Sequence, residues 1–138
     1  MSAIPAGFEP LFRTSPFVES IGPLFSRGRG AELVVGFHAE RKHCNNRGLV
    51  HGGVLATIAD IALGYALAYA ADPPLSLVTA SLTLDFAGSA KEGDWIEARV
   101  DPQKTGSRLA FANCYICVGD QRIVRASAVF AVMGRAGR

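Results

Sequence analysis

The sequence predicts an α+β domain in which one long central helix is wrapped by a twisted antiparallel β-sheet. Apolar residues recur at helical spacing between residues 52 and 71, and four strand-like runs joined by short links follow this segment. Short links favour antiparallel pairing of neighbouring strands. A helix as apolar as this one needs a sheet face to cover it. A chain of 138 residues, 49% of them hydrophobic, can build one domain with a sizeable core.

The N-terminal part contains several prolines and glycines, which interrupt regular structure. We expect a short helix or turn over 9–12, an extended segment over 17–26 and a strand over 31–39. Residues 1–16 are expected to form an N-terminal extension of the single domain 1–138.

The central helix is predicted over 52–71, because Asn and Gly precede it and Pro73 and Pro74 close it. Four strands should follow, at 77–86, 94–102, 108–118 and 122–133. The first of them is expected to place one set of alternate residues on a shared face: Val78, Ala80, Leu82, Leu84 and Phe86.

Charge and cysteine content narrow the function classes. The net charge of +2 is too balanced to indicate nucleic-acid binding. The N-terminus lacks the pattern of a secretory signal, and three cysteines do not suggest a disulfide framework, so we expect a cytoplasmic protein. Cys114 and Cys117 form a C-x-x-C motif inside a predicted strand, where odd spacing sends the side chains to opposite faces and favours ordinary packing over metal binding.

The length of the apolar helix raises the alternative of a membrane span. Asp60 lies near its midpoint, where a carboxylate costs about 2.5–3.5 kcal/mol on insertion scales, and basic anchors are missing on the C-terminal side. The pattern therefore favours a soluble helix covered by the sheet and by a second copy of the chain.

A narrow stripe of small or polar residues interrupts the apolar surface of this helix. It consists of Gly53, Thr57, Asp60 and Gly64, spaced so that they share one face. A carboxylate in such surroundings is a candidate functional group. The alternative is a purely structural role for Asp60, as a cap or as the partner of an arginine such as Arg47.

The entrance to the helix supplies a second candidate group. Gly52 and Gly53 stand where unpaired backbone N–H groups and the positive end of the helix dipole coincide, an arrangement that suits an oxyanion. Gly52 and Asp60 are separated by roughly 12 Å along the helix axis. If both act on one carbonyl, they come from two chains, so the sequence predicts a dimer.

The motif Asn45-Asn46-Arg47-Gly48-Leu49-Val50-His51-Gly52-Gly53, followed by Asp60, resembles the PaaI-like branch of the hotdog-fold acyl-CoA thioesterases. The resemblance extends from about residue 17 to Met133 and includes the stretches TASLTLDF and AKEGD. It implies a hotdog fold, a homodimer or a dimer of dimers (a homotetramer), and hydrolysis of an acyl- or aryl-CoA thioester.

Carried over to this chain, the resemblance implies a role for each residue of the motif. Asp60 would be the catalytic carboxylate, acting as nucleophile or as general base, and the Gly52 N–H would polarise the thioester carbonyl. Asn45 would hold the attacking water or the carbonyl, and Thr79 would lie near the carboxylate. His51 and Gly53 are expected to lie at the substrate-binding region. The main role of His51 there would be to order the turn before the helix.

Cations for the phosphates of coenzyme A are expected on exposed loops and strand ends. Lys91, Lys104 and Arg108 are candidates, with Gly106 at the turn, although each is also typical of a solvated surface charge. No cofactor is expected, because coenzyme A is part of the substrate. The motif His38, His43 and Cys44 has no standard metal-ligand spacing.

Two other functions are compatible with the same residues. A hotdog dehydratase or hydratase would pair His51 with Asp60, although the motifs of those enzymes are not spelled here. A non-catalytic acyl-CoA-binding module would have no use for the acid at position 60. The sequence does not define the acyl group of the substrate under either of these alternatives.

Overall fold

The computed structural model describes residues 3–135 and contains seven strands and two α-helices. In chain order these are β1 (Glu9–Pro10), α1 (Pro16–Ile21), β2 (Phe25–Arg27), β3 (Val34–His38), α2 (Gly52–Ala68), β4 (Leu75–Phe86), β5 (Trp95–Thr105), β6 (Leu109–Val118) and β7 (Gln121–Arg135). Short 3-10 helices at Gly30–Glu32 and Arg41–His43 lie between β2 and α2.

All strands join one antiparallel sheet in the order β1-β2-β3-β5-β6-β7-β4. The inner face of β5, β6 and β7 contains many alanines, which let α2 approach the sheet closely. The core between helix and sheet is fully buried and includes Leu55, Ile58, Leu63, Leu67, Phe37, Ile96, Ile116 and Val124. The predicted α+β architecture is confirmed.

The predicted central helix is confirmed, and it ends at Ala68, three residues before the expected end at 71. Among residues 3–135, none of the helices combines the length and the apolar character that crossing a bilayer requires. The four strands after α2 also agree with the prediction to within three residues at each end.

The strand predicted over 31–39 is confirmed as β3 at Val34–His38, whereas the two earlier N-terminal predictions are wrong in position. Residues 9 and 10 form a strand instead of a helix or turn, and Pro16–Ile21 is helical instead of extended. The cause is local: the Ser15 side chain accepts a hydrogen bond from the Val18 N–H at 3.2 Å, and Pro16 occupies the first helical position, where proline is tolerated.

The position of β4 differs from the simplest reading of the short links. β4 pairs with β7 at the edge of the sheet, not with β5, its successor in sequence. The Ile123 carbonyl accepts hydrogen bonds from the Ala87 and Gly88 N–H groups at 2.8 and 3.0 Å, so the chain leaves β4 beside the start of β7. It then passes the entrance of α2, where the Val50 N–H donates to the Ala90 carbonyl, before entering β5.

The face that alternate residues of β4 were predicted to share is wrong at its first two members, Val78 and Ala80. The register shifts between Thr79 and Ser81, so Ala80 is the extra residue of a β-bulge. The bulge moves the alternation by one residue: Leu77 packs against the core, whereas the Val78 side chain is 53% exposed on the outer face. Leu82 and Leu84, beyond the bulge, pack against the core as expected.

Candidate active site

Asp60 lies in the third turn of α2, on the side of the helix that faces β4. Its half-buried carboxylate accepts a hydrogen bond from the Thr79 hydroxyl, with 2.8 Å between Oγ1 and Oδ1. The bulge at Ala80 puts Thr79 on the inner face of β4, where its hydroxyl reaches the helix. Arg47, the structural partner considered for Asp60, is not within ion-pair distance of it.

Asp60 and Thr79 line one end of a cleft of about 380 Å³, a volume in the usual range for small-molecule sites. The cleft runs along the C-terminal half of α2. Its wall includes Ile61, Gly64, Tyr65, Ala68, Tyr69, Leu75, Ser76, Leu77, Phe130 and Arg13. The wall thus combines apolar and aromatic side chains with a comparable share of polar groups.

The stripe of small and polar residues on α2 coincides with a part of the helix that its own sheet covers incompletely. Gly53 is exposed, and Thr57, Asp60 and Gly64 are half-buried. The Thr57 hydroxyl donates to the Gly53 carbonyl at 2.9 Å, so it is satisfied within the helix. The described chain therefore presents Asp60 on an accessible surface.

The entrance to α2 carries the second group that sequence analysis predicted. His51 is the N-cap residue, and its Nδ1 accepts a hydrogen bond from the Gly53 N–H at 2.8 Å. His51 therefore orders the first turn, and its ring takes up one of the free N–H groups. Within residues 3–135 nothing accepts a hydrogen bond from the Gly52 N–H, which makes that group available to a ligand.

Asn45 organises the loop before the helix. Its side-chain oxygen accepts hydrogen bonds from the N–H groups of Arg47 at 2.8 Å and Leu49 at 3.2 Å. These contacts fix the orientation of the carboxamide, and its NH₂ group remains without a partner in the described part of the chain. Asn45 can therefore act on a water or a carbonyl only as a donor.

The single chain does not bring Gly52 and Asp60 together. They lie at opposite ends of the same rigid stretch of helix, with roughly 12 Å between them along its axis. Asp60 and Thr79 form one half of the predicted constellation, whereas Gly52, Asn45 and His51 form the other. One carbonyl cannot contact both halves of the same chain.

The cations proposed for phosphate binding occupy two separate places. Lys104, Gly106 and Arg108 lie in or beside the hairpin between β5 and β6, with both cations exposed and without an ion pair among the described residues. Lys91 is beyond the other end of β5, where it pairs with Asp94 at 3.8 Å. The hairpin lies two strands from Thr79, a distance of roughly 10 Å.

Arg13 is the cleft residue that sequence analysis missed. Its guanidinium Nη1 donates a hydrogen bond to the Tyr69 hydroxyl at 2.7 Å, which raises the pKa of Arg13. Burial raises the pKa of the neighbouring Tyr65. The segment 1–16, expected as an extension, thus contributes to the cleft through Arg13 and joins the sheet through β1.

The cysteine and histidine motifs have structural roles. Cys114 and Cys117 are buried and free, and burial raises the pKa of Cys114 to about 12, so this thiol stays neutral at ordinary pH. His43 is buried, with its Nε2 2.6 Å from the Ile21 carbonyl. Across residues 3–135 no three His, Cys, Asp or Glu side chains lie close enough to hold a metal ion.

Comparison with known proteins identifies the family. The model of the thioesterase superfamily matches residues 47–125, which include the helix entrance, Asp60 and Thr79. The chain belongs to the thioesterase superfamily. A "Putative esterase PA0474" from Pseudomonas aeruginosa is 45% identical over 131 residues, which cover 94% of this chain and 98% of that protein.

Solved structures agree on the fold. The E. coli PaaI protein from the phenylacetic acid degradation operon superimposes with a TM-score of 0.80 at 19% identity, over 88% of this chain and 87% of that one. The protein smu.793 from Streptococcus mutans, solved bound to acetyl-CoA, gives a TM-score of 0.78 at 18% identity, over 85% and 94% of the two chains. These structures confirm the predicted hotdog fold, and the match to the family model confirms that the chain is a thioesterase-superfamily member.

Proposed function

We propose that this thioesterase-superfamily protein hydrolyses an acyl- or aryl-CoA thioester to the free acid and coenzyme A. The observation that carries the proposal is the Asp60 carboxylate, held by the Thr79 hydroxyl at 2.8 Å and open to a cleft of substrate size. The match to a structure solved with acetyl-CoA supports the choice of a CoA thioester.

The proposed reaction needs the carboxylate and one oxyanion donor. Asp60 either attacks the carbonyl carbon, giving a mixed anhydride that water then cleaves, or takes a proton from an attacking water. In both cases the carbonyl oxygen gains negative charge, and the free Gly52 N–H at the positive end of the helix dipole stabilises it. The sulfur leaves as the thiolate of coenzyme A and is protonated to the thiol.

The proposed active form is a homodimer with two composite sites. Two α2 helices running antiparallel across a two-fold axis would place Asp60 of one chain opposite Gly52 of the other. Two features support this arrangement: the incompletely covered stripe on α2, and the long edge strand β4, whose outer edge can pair with a second copy.

A dimer of dimers is proposed as a further step of assembly. The outer face of the sheet carries three large apolar side chains with substantial exposure: Val78 at 53%, Leu109 at 43% and Met133 at 65%. Leu109 and Val78 each pair with Ala131, so they belong to one row across β6, β7 and β4. A contiguous apolar patch of this kind is typical of a protein interface.

The experiment that tests the function is the release of free thiol from a panel of phenylacetyl, benzoyl, short-chain and long-chain CoA esters. Asp60→Asn, which is nearly isosteric, should lower kcat by about 10²–10⁴ and leave thermal unfolding unchanged. Asp101→Asn, a change at an exposed acid on β5, is the matched control and should retain wild-type activity. An active Asp60→Asn protein would contradict the assignment, and inactivity of the wild type on every ester would contradict the function.

A further inference from the structure

The end of the cleft remote from Asp60 carries a cation without a carboxylate partner. Arg13 contacts the neutral Tyr69 hydroxyl at 2.7 Å, and none of the ion pairs among residues 3–135 includes Arg13. Only one of its nitrogen atoms is used by this contact, so the rest of its planar fork can receive an anion. Tyr69 accepts from Arg13, which leaves the hydroxyl proton of Tyr69 to donate as well.

The position of Arg13 is fixed by an aromatic cluster. Phe12, its neighbour in sequence, packs edge-on against Tyr69 with 5.0 Å between ring centroids and is tilted against Tyr65 at 5.6 Å. The guanidinium of Arg29 also lies over the Phe12 ring, 4.0 Å from its centroid. A second positive charge therefore lies beside the cluster that holds Arg13.

The distance from the reacting carbonyl can be derived from the helix. Tyr69 follows Asp60 by nine residues, which separates the two residues by roughly 13 Å along the axis and by about half a turn around it. The cleft joins them past Gly64, Tyr65 and Ala68, so an acyl chain from the carbonyl at Asp60 to Arg13 spans roughly 13 Å or more. An extended acyl group of twelve carbons covers roughly 14 Å.

We infer that Arg13 determines the specificity of the site by binding an anionic group at the far end of the acyl chain. The inference rests on the proposed function and names its substrate class: a CoA thioester whose acyl group ends in a carboxylate, that is, a half-thioester of a dicarboxylic acid. The carboxylate would receive the free fork of Arg13 and the Tyr69 hydroxyl. Asp60, at the other end of the cleft, would meet the thioester carbonyl.

The test compares two substrates of equal length, dodecanedioyl-CoA and dodecanoyl-CoA, which differ in the terminal carboxylate. The wild type should show a kcat/KM at least tenfold higher for dodecanedioyl-CoA. Arg13→Gln should reduce this preference by about ten- to a hundredfold, through the dodecanedioyl ester alone, because a charge-assisted contact is lost. Arg13→Lys should retain part of the preference. Equal kcat/KM values of the wild type for both esters would overturn the inference and leave the proposed function intact.

The matched control is Arg122→Gln. Arg122 stacks on Tyr115 with 3.8 Å to the ring centroid, and it precedes Phe130 of the cleft by eight strand residues, or roughly 27 Å. This variant loses the same charge far from the cleft and should keep the wild-type preference. A drop in preference equal to that of Arg13→Gln would mean that net charge, not contact, selects the substrate, and would overturn the inference.

The phosphates of coenzyme A are another source of anionic charge. A second pair of substrates distinguishes binding of a phosphate from binding of the terminal carboxylate. Dodecanedioyl and dodecanoyl thioesters of N-acetylcysteamine carry no phosphate and should show the same dependence on Arg13. If Arg13→Gln weakens both CoA esters alike and leaves both phosphate-free esters unchanged, Arg13 binds a phosphate and the inference is overturned.

Binding measurements test the anion site independently of the proposed hydrolysis. The unreactive thioether analogues of dodecanedioyl-CoA and dodecanoyl-CoA are titrated into the wild type and Arg13→Gln by calorimetry. Tighter binding of the dodecanedioyl analogue, abolished in Arg13→Gln, supports the anion site even if no thioester is hydrolysed. Equal affinity of the two analogues for the wild type overturns it.

Discussion

At the residue scale, the hydrogen bond between Thr79 and Asp60 is the contact on which the proposed chemistry depends most directly. The hydroxyl fixes one carboxylate oxygen at 2.8 Å and leaves the other oxygen to the substrate or to water. A donor in this position orients the carboxylate for attack or proton transfer. Thr79 is thus a positioning residue in the proposed mechanism.

Replacing Thr79 by Val removes the hydroxyl and keeps the shape of the side chain. We expect kcat to fall by about tenfold to a hundredfold with little change in KM, because a hydrogen bond to a charged group is lost. Steady-state thiol release measures this effect. Thr79→Ser, which keeps the donor, is the control and should restore most of the activity, and a fully active Thr79→Val protein would show that the contact has no part in the reaction.

Sequence analysis identified Asp60 but not Arg13, and the reason is physical. Asp60 interrupts an apolar helix, and a helical repeat shows from the sequence which residues share its face. Arg13 precedes the helix at Pro16–Ile21 in an irregular segment, and its partner Tyr69 is 56 residues away. No local pattern encodes such a contact, so the remote end of the cleft emerges only from the fold.

At the scale of elements, the first turn of α2 determines whether an oxyanion can be bound. Gly52 occupies the first helical position, and the His51 backbone has φ −63° and ψ 136°. Proline is accepted at such a position, and the residue before a proline prefers this extended conformation. The site therefore allows the N–H to be deleted without breaking the helix.

We predict that Gly52→Pro lowers kcat by about 10²–10³, the usual effect of removing one oxyanion donor. Gly52→Ala is the matched control, because it adds a Cβ 3.3 Å from the Phe86 ring and keeps the N–H. Circular dichroism and thermal unfolding check that the helix persists in both proteins. Equal activities of the Pro and Ala variants would show that the steric contact with Phe86, not the N–H, controls turnover.

The elements themselves were predictable to different degrees. α2 and β5 to β7 follow from periodicity and from tight links, because neighbouring strands joined by short turns pair with each other. The edge position of β4 and its bulge at Ala80 depend on contacts between distant parts of the chain. Only the family resemblance therefore predicted that Thr79 lies near Asp60. The simple alternation along β4 assigned Val78 to the wrong face.

At the scale of the whole molecule, the separation of Gly52 and Asp60 predicts a site shared between two chains. A straight helix holds them roughly 12 Å apart, yet both must lie within a few ångström of one carbonyl if they act together. Each working site then needs Asp60 from one chain and Gly52 from its partner. Two inactive variants, one defective at Asp60 and the other at Gly52, should therefore restore activity when they form a mixed dimer.

We predict that co-expression of Asp60→Asn with Gly52→Pro restores activity. A mixed dimer has one site with both defects and one site with none, because the intact Asp60 comes from the Gly52→Pro chain and the intact Gly52 from the Asp60→Asn chain. With random pairing, half of the dimers are mixed and half of their sites are intact, so the activity should reach about a quarter of the wild-type value. Differently tagged chains allow the mixed dimers to be purified and assayed directly. If Asp60 and Gly52 of the same chain served one site, every site of a mixed dimer would carry a defect, and the mixture would be no more active than either variant alone.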